Sequence, residues 1–350
     1  MRVLPIATAG VSVIMAALAV SQIVESPGAI DDVGDVDLAP SPGDQTVDVA
    51  IVAGANPRDI GKTLEDAGVI DSTTQFSILV ALLGYDGQLQ AGDYEFSLGM
   101  AELDAVYRIR RGIVTTRSVT VVEGWRLEEI AVAVATQGIS REEFVSQARV
   151  RNFDFEFLDG LRSSTTLEGY LYPATYSIRR DETADSVLTK MLEAFSASLP
   201  PDVRERARES GLTLHEVVTI ASIIEREARL DEERPIMAQV FLRRLRQGIP
   251  LEADPTVQYA IASDPESVEE YGWWKRALTL EDLEVDSPYN TYANDGTPPG
   301  PICSPRISSI MAVLQPADTN YLYFVAKPDG SHAFASTLEE HQQNIDLYLR

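Results

Sequence analysis

The chain is poor in the residues from which disulfides, metal centres and nucleic-acid grips are made. It has one cysteine, Cys303, in 350 residues, so no internal disulfide can close and no multi-cysteine metal site can assemble. Its three histidines, His215, His332 and His341, are scattered, and nothing in their spacing predicts a metal or a cofactor. Positive charge is scarce as well. With 29 lysines and arginines against 54 acids, the formal charge of -25 argues against a hold on nucleic acid, which draws its affinity from neutralised phosphates; an uncharged or cationic ligand fits better.

Charge is absent altogether from Val3 to Val24, a run long enough to cross a bilayer as a helix. Two readings follow, a retained anchor or a signal peptide cleaved near Ala17-Leu18-Ala19, and both export what comes after. The apolar run continues past Ala19, which favours an anchor over residues 1–24. Arg2 and the amino terminus are its only positive flank, which puts the amino end inside and the bulk on the extracytoplasmic side of the cell membrane. Residues 25–46 hold acids, prolines and glycines but no base, and read as a disordered tether.

What remains has enough apolar content, 45% over the whole chain, for two folded cores of α+β type. A repeat is visible at an offset of 70 residues: Val49, Ile51, Val52, Gly54, Ile60, Leu64 and Gly68 match Val119, Val121, Val122, Gly124, Ile130, Val134 and Gly138. Each copy reads as a short strand, a turn glycine, and a helix closed by a second glycine. We group both copies in one α+β subdomain over 47–140, ahead of a mixed α+β domain over 141–350. Within the latter, Pro235 to Gly248 is a helix opened by proline and closed by glycine. Pro250 to Tyr259 is expected to be loop, and Ser287 to Pro305 a long irregular segment of the kind that is usually functional. Tyr321 to Ala326 and His332 to Phe334 make a hairpin, and a last helix runs from Leu338 to Leu349.

The stretch that organises the chain is Thr213 to Arg229, TLHEVVTIASIIEREAR. Leu214, Val217, Val218, Ala221, Ile224 and Ala228 form one apolar stripe at the helical period. On that wheel Glu225 lies about 50° from the centre of the stripe, whereas Glu216 and Glu227 lie more than about 100° away. Glu225 is therefore the acid expected to be buried, and burial would raise its pKa toward that of a general acid. The alternative is that Glu225 pairs with a nearby base such as Arg229.

The ordered series LEGYLYP, ASIIEREA, RRLRQGIPLEADPTVQY, SPYNTY, GTPPGPI and YLYFVAKPDGSHAF closely resembles the endolytic murein transglycosylase family, single-pass bacterial membrane proteins that cut peptidoglycan strands. The resemblance covers about residue 47 to the carboxyl end. It implies cleavage of the β-1,4 bond between N-acetylmuramic acid and N-acetylglucosamine of nascent strands, leaving a 1,6-anhydro ring, with Glu225 as catalytic acid and then base. It also implies a LysM-like subdomain, glycan strands and peptidoglycan synthases as partners, and no cofactor. Glu168, Tyr170, Tyr172, Asp254, Tyr259, Tyr289, Asn290, Thr291 and Tyr292 are the candidates for holding glycan; Glu168, Glu227 and Asp254 are candidates for a second carboxylate, with Asp254 the one to test. A hydrolase using two carboxylates and a non-catalytic wall-binding scaffold remain the competing readings.

Overall fold

A computed structural model describes residues 45–114, 116–179 and 182–349. The expected anchor over 1–24 and nearly all of the tether over 25–46 lie outside the described residues. Among the described residues no helix is long and apolar enough to cross a membrane. The fold is mixed α+β, helices with three two-stranded sheets, and it divides into two compact units between Thr115 and Thr116.

The smaller unit runs β1 (Thr46–Ile51), α1 (Pro57–Asp66), α2 (Thr73–Leu82), β2 (Gly92–Ser97) and α3 (Glu102–Arg111). β1 and β2 pair antiparallel with Val49 opposite Tyr94. The helix α1 begins where the Asn56 side chain accepts from the N–H groups of Arg58 and Asp59, satisfying donors that a first turn leaves bare. Ile60, Leu64, Phe76, Val80, Tyr94, Phe96 and Ile109 close a core of their own.

The larger unit opens with β3 (Thr116–Thr120), α4 (Leu127–Ala135) and α5 (Arg141–Gln147), followed by β4 (Thr175–Arg179), α6 (Ala184–Ser198) and α7 (Val203–Glu209). Then come α8 (Leu214–Glu227), α9 (Arg234–Gln247), α10 (Asp254–Ile261) and α11 (Pro265–Tyr271). It ends with α12 (Ile307–Leu314), a hairpin of β5 (Tyr323–Ala326) and β6 (His332–Ala335), and α13 (Leu338–Tyr348).

The 70-residue repeat is built into the backbone. Gly54 after β1 and Gly124 after β3 both have φ of 78°, a left-handed turn that glycine adopts without strain. The two copies nevertheless fall in different units, whereas the sequence grouping over 47–140 put them together. The reason is pairing. β3 finds its partner in β4, Val119 opposite Tyr176, and Val119, Val121, Leu127, Ile130 and Val134 join the larger core.

The centre of that core is α8. A capping box starts it: Thr213 Oγ1 accepts from Glu216 N–H while the Glu216 carboxylate accepts from Thr213 N–H. The wheel predicts one buried face, but every residue from Val217 to Glu225 is buried, because α7, α9, α10 and α12 surround the helix. Complete burial of Ile220, Ile223 and Ile224 contributes about 1.5–3 kcal/mol each.

Two neighbours of α8 bear on the site. The segment PLEADPTVQY, expected as loop, becomes helical from Asp254, since Pro255 occupies the first turn, where a missing N–H costs nothing. Residues 287–305 are irregular as expected, yet pinned. Ile302 N–H donates to Ser222 Oγ at 3.0 Å, and Ser304 N–H donates to the Trp125 carbonyl at 2.7 Å. Gly169, at φ 83°, lets Pro301 approach so closely that a Cβ would lie 2.3 Å from the proline ring.

Candidate active site

The last turn of α8 carries two carboxyls, and they point into unlike surroundings. Glu225 is 3% exposed at its side chain and fully engaged. Its Oε1 accepts from Arg306 Nε at 2.9 Å, and its Oε2 accepts from the Arg306 backbone N–H at 3.1 Å and from Ser309 Oγ at 2.8 Å. Arg234 Nη1 stands 3.8 Å from the same oxygen, is 2% exposed, and also donates to Ser309 Oγ. Arg306 is the N-cap of α12, so Glu225 lies at the positive end of that helix. It is the buried acid that the wheel predicts, but it is locked in an ion-pair and capping network that ties α8 to α9 and α12. Arg306 and Arg234 take the pairing role, not Arg229.

Glu227 is the contrast. It is partly buried at the C-terminal end of α8, and its carboxyl takes no hydrogen bond among the described residues. Burial, with the negative Asp254 nearby, pushes its pKa up to about 8 against a weaker opposing pull from Arg226. The helix end adds in the same direction, since a negative charge at the carboxyl terminus opposes the dipole. Arg226 is turned aside: its guanidinium lies 3.8 Å from the centre of the Trp274 ring, and its Nη1 donates to the Gly124 carbonyl at 3.4 Å. Across from Glu227, Asp254 opens α10 and accepts from Tyr292 Oη at 2.7 Å, and burial with that hydrogen bond raises the phenol well above its usual range.

Glu168 is the other carboxyl with a pKa raised to about 8, by burial and by the neighbouring Glu128. Its geometry assigns a different task. It is 3% exposed, and both its oxygens accept from Leu127 N–H at 3.1 Å, capping the start of α4.

The remaining glycan candidates separate in the same way. Tyr170 is wholly buried, its hydroxyl 2.8 Å from His215 Nδ1 and its ring stacked on Phe157. The Tyr172 carbonyl accepts from the Tyr176 hydroxyl. Asn290 spends its Nδ2 on the Leu283 and Val285 carbonyls and its Oδ1 on Tyr292 N–H. Thr291 Oγ1 accepts from Ala253 N–H and bonds Thr256 Oγ1. Tyr170, Asn290 and Thr291 thus spend their polar atoms inside the protein, whereas the Tyr172 side chain is half-buried. Tyr259 and Tyr289 do face a cavity, with ring centres 4.7 Å apart, and Tyr259 Oη donates to Glu168 at 3.4 Å.

Sequence reasoning missed Arg126, which precedes the whole motif series, and Trp273 and Trp274, which fall in the stretch between two motifs. It kept Glu227 only as one candidate for a second carboxylate. The wheel places Glu227 off the apolar stripe, and only the tertiary approach of α10 and the 287–305 segment dries that flank.

The model of the YceG-like family matches residues 49–347. An endolytic murein transglycosylase of Bacillus subtilis is 34% identical over 318 residues, 87% of this chain and 85% of that protein. One of Streptococcus pneumoniae is 30% identical over 327 residues, and there the match spans 58% of the relative's length. The crystal structure of a YceG-like protein from Listeria monocytogenes is 34% identical with a TM-score of 0.56, covering 86% of this chain and 99% of that one.

Proposed function

The chain belongs to the YceG-like family, and on that premise we propose that it is a lytic transglycosylase of peptidoglycan in which Glu227, not Glu225, carries the proton. The observation that carries this reading is the state of Glu227: a carboxyl with a pKa pushed up to about 8, partly open, and taking no hydrogen bond among the described residues. At neutral pH it holds a proton free to leave. In cleavage of the β-1,4 bond after N-acetylmuramic acid, that proton passes to the glycosidic oxygen as the bond breaks toward an oxocarbenium-like state. The carboxylate so formed takes the proton of the sugar's own C6 hydroxyl, whose oxygen closes on C1 to give the 1,6-anhydro ring. The proton count balances and no water enters.

Asp254 is the group that supports the competing hydrolytic reading, because it is the carboxylate that Glu227 feels. Its hydrogen bond to Tyr292 fits a supporting role in keeping Glu227 protonated. Mass spectrometry of digested peptidoglycan decides between them. An anhydro-muramic end is expected, and a reducing end would replace the lyase by a hydrolase. Absence of any cleavage by the folded wild type would leave the scaffold reading.

The same proposal retains the charge-free run over 3–24 as a membrane anchor holding the enzyme on the outer side of the cell membrane. Residues 45–114, with their β1-α1-α2-β2 order and paired strands, are read as the LysM-like module that steadies the strand. Peptidoglycan synthases are its proposed partners.

A further inference from the structure

The far end of α10 carries a second feature that the cleavage chemistry does not use. A cavity of about 580 Å³ opens in the larger unit, with Tyr259 and Tyr289 on one side and Trp273 on another. Two arginines line it in a chain whose net charge is -25. The Arg126 guanidinium lies 4.2 Å from the centre of the Tyr259 ring and 4.8 Å from that of Trp273. Glu128 accepts from its Nε at 2.8 Å, but its Nη1 is buried with no hydrogen-bond partner among the described residues, in a residue only 4% exposed. A buried guanidinium N–H left unpaired is costly, and a ligand oxygen there would remove the cost. Arg141, exposed at the rim and 5.9 Å from the Trp273 ring, adds a positive charge above the same platform. Ala260, Ala262, Pro265 and Val268 supply the apolar part of the wall; Ser263 and Ser287 add hydroxyls, and Glu128, held by the Arg126 Nε, also lines it.

We propose that this cavity is a carboxylate subsite that takes the stem peptide carried by the muramic acid residues of the glycan. The inference rests on the proposed substrate class and deepens it. An orphaned arginine donor between two rings, a second arginine at the mouth that leaves the site with two positive charges against the one of Glu128, and small apolar and hydroxyl side chains on the wall match a short peptide with an acidic group and alanine-sized side chains. The position agrees. Asp254 beside Glu227 and Tyr259 in the cavity wall sit five residues apart on α10, about 7.5 Å along the helix axis, so a stem could be held while its own strand is cut.

The test uses the full chain and two readouts. Binding is measured by calorimetry with N-acetylmuramoyl-L-alanyl-D-glutamate and with the same compound amidated at its carboxyl groups. The acid should bind about tenfold or more tightly than the amide, the difference expected of a charge-assisted hydrogen bond. Arg141→Ala, at an exposed position, should erase most of that difference; Arg126→Gln should erase it too, and Arg141→Ala carries the test if the buried variant fails to fold. Equal binding of acid and amide overturns the proposal, as does inorganic phosphate competing as tightly as the acid, which would make the cavity a general anion site. The second readout is the ratio of kcat/KM on stem-bearing strands to that on strands stripped by an amidase. It should exceed one in the wild type and fall toward one in Arg141→Ala; a ratio that the substitution leaves in place overturns the proposal. Wild type that cleaves neither strand yet prefers the acid sinks the transglycosylase reading and leaves the subsite standing.

Discussion

The two flanks of α8 at its last turn show what an acid looks like when the fold uses it as structure and when it leaves it free. On the α12 flank, Glu225 is surrounded by a guanidinium, a backbone N–H, a hydroxyl and a second arginine behind it. On the α10 flank, two residues later, Glu227 meets desolvation and another carboxylate, with no hydrogen-bond donor among the described residues. Burial alone does not distinguish a catalytic acid from a structural one; the number of donors reaching the carboxyl does.

The sharpest way to break the comparison is to neutralise each acid in turn. Glu227→Gln keeps the shape and removes the transferable proton, so cleavage of purified glycan strands should fall by about 100-fold or more. Its thermal melt should stay at or slightly above that of the wild type, since the substitution removes a carboxyl the fold does not bond. Glu225→Gln should do the opposite. It takes the buried negative charge from between Arg306 and Arg234, leaving Arg234 with Asp231 and Ser309, and weakens the cap of α12, at a cost of about 3 kcal/mol, or roughly 6–12 °C in Tm, while the folded fraction keeps cleaving within about tenfold of wild type. If Glu225→Gln instead stays stable and loses activity, the roles given to the two flanks are reversed.

A finer test uses pH. The folded Glu227 keeps a proton up to about pH 8, whereas an unfolded glutamate loses it near its ordinary 4.5. Between those values the native state binds more protons, so this group's contribution to stability declines as pH rises through the window. Glu168, also raised to about 8, acts in the same sense. Urea melts at pH 5 and pH 8 should therefore show the wild type weaker at pH 8, with the difference reduced in Glu227→Gln. The rate of cleavage should fall on an alkaline limb near pH 8. Asp254→Asn removes a charge that holds the proton on, and should move that limb to lower pH; a limb that does not move removes Asp254 from the argument.

How much of this could be read in the chain follows from which interactions are local. The α8 helix, the glycine-closed helix over Arg234–Gln247, the terminal hairpin and both copies of the repeat follow from hydrophobic period and turn glycines. The burial of Glu225 follows from the wheel as well. Its neutralisation does not, because Arg306 and Ser309 lie 81 and 84 residues away and reach it only after the 299–306 segment folds back over α8. Glu227 is the converse. The wheel assigns it to the wet side, and the covering by α10 depends on Asp254-Pro255 opening a helix where the sequence reads as a loop. Asn290 and Thr291 look like sugar-binding groups by type, yet the turn they sit in uses their hydrogen-bonding atoms. Side-chain chemistry names candidates, and backbone demand in an irregular segment decides which are left free.

The smallest expected effect separates support from participation on the α10 flank. Tyr292 donates to Asp254 at 2.7 Å, and Tyr292→Phe deletes that one neutral-to-carboxylate bond while keeping the ring. Without that donor the Asp254 carboxylate is no longer held in place beside Glu227 and turns toward water, so it repels the Glu227 carboxylate less, and the proton on Glu227 leaves slightly more readily. The loss of about 1.5–3 kcal/mol of local hydrogen bonding at an exposed acid is offset largely by water, which leaves a change of a few-fold in kcat and little in Tm. A loss as deep as that of Glu227→Gln would mean that the phenol itself touches the reacting sugar. The free acid would then be one half of a catalytic pair, and the contrast between the two flanks would lie in the company of a tyrosine as much as in the absence of donors.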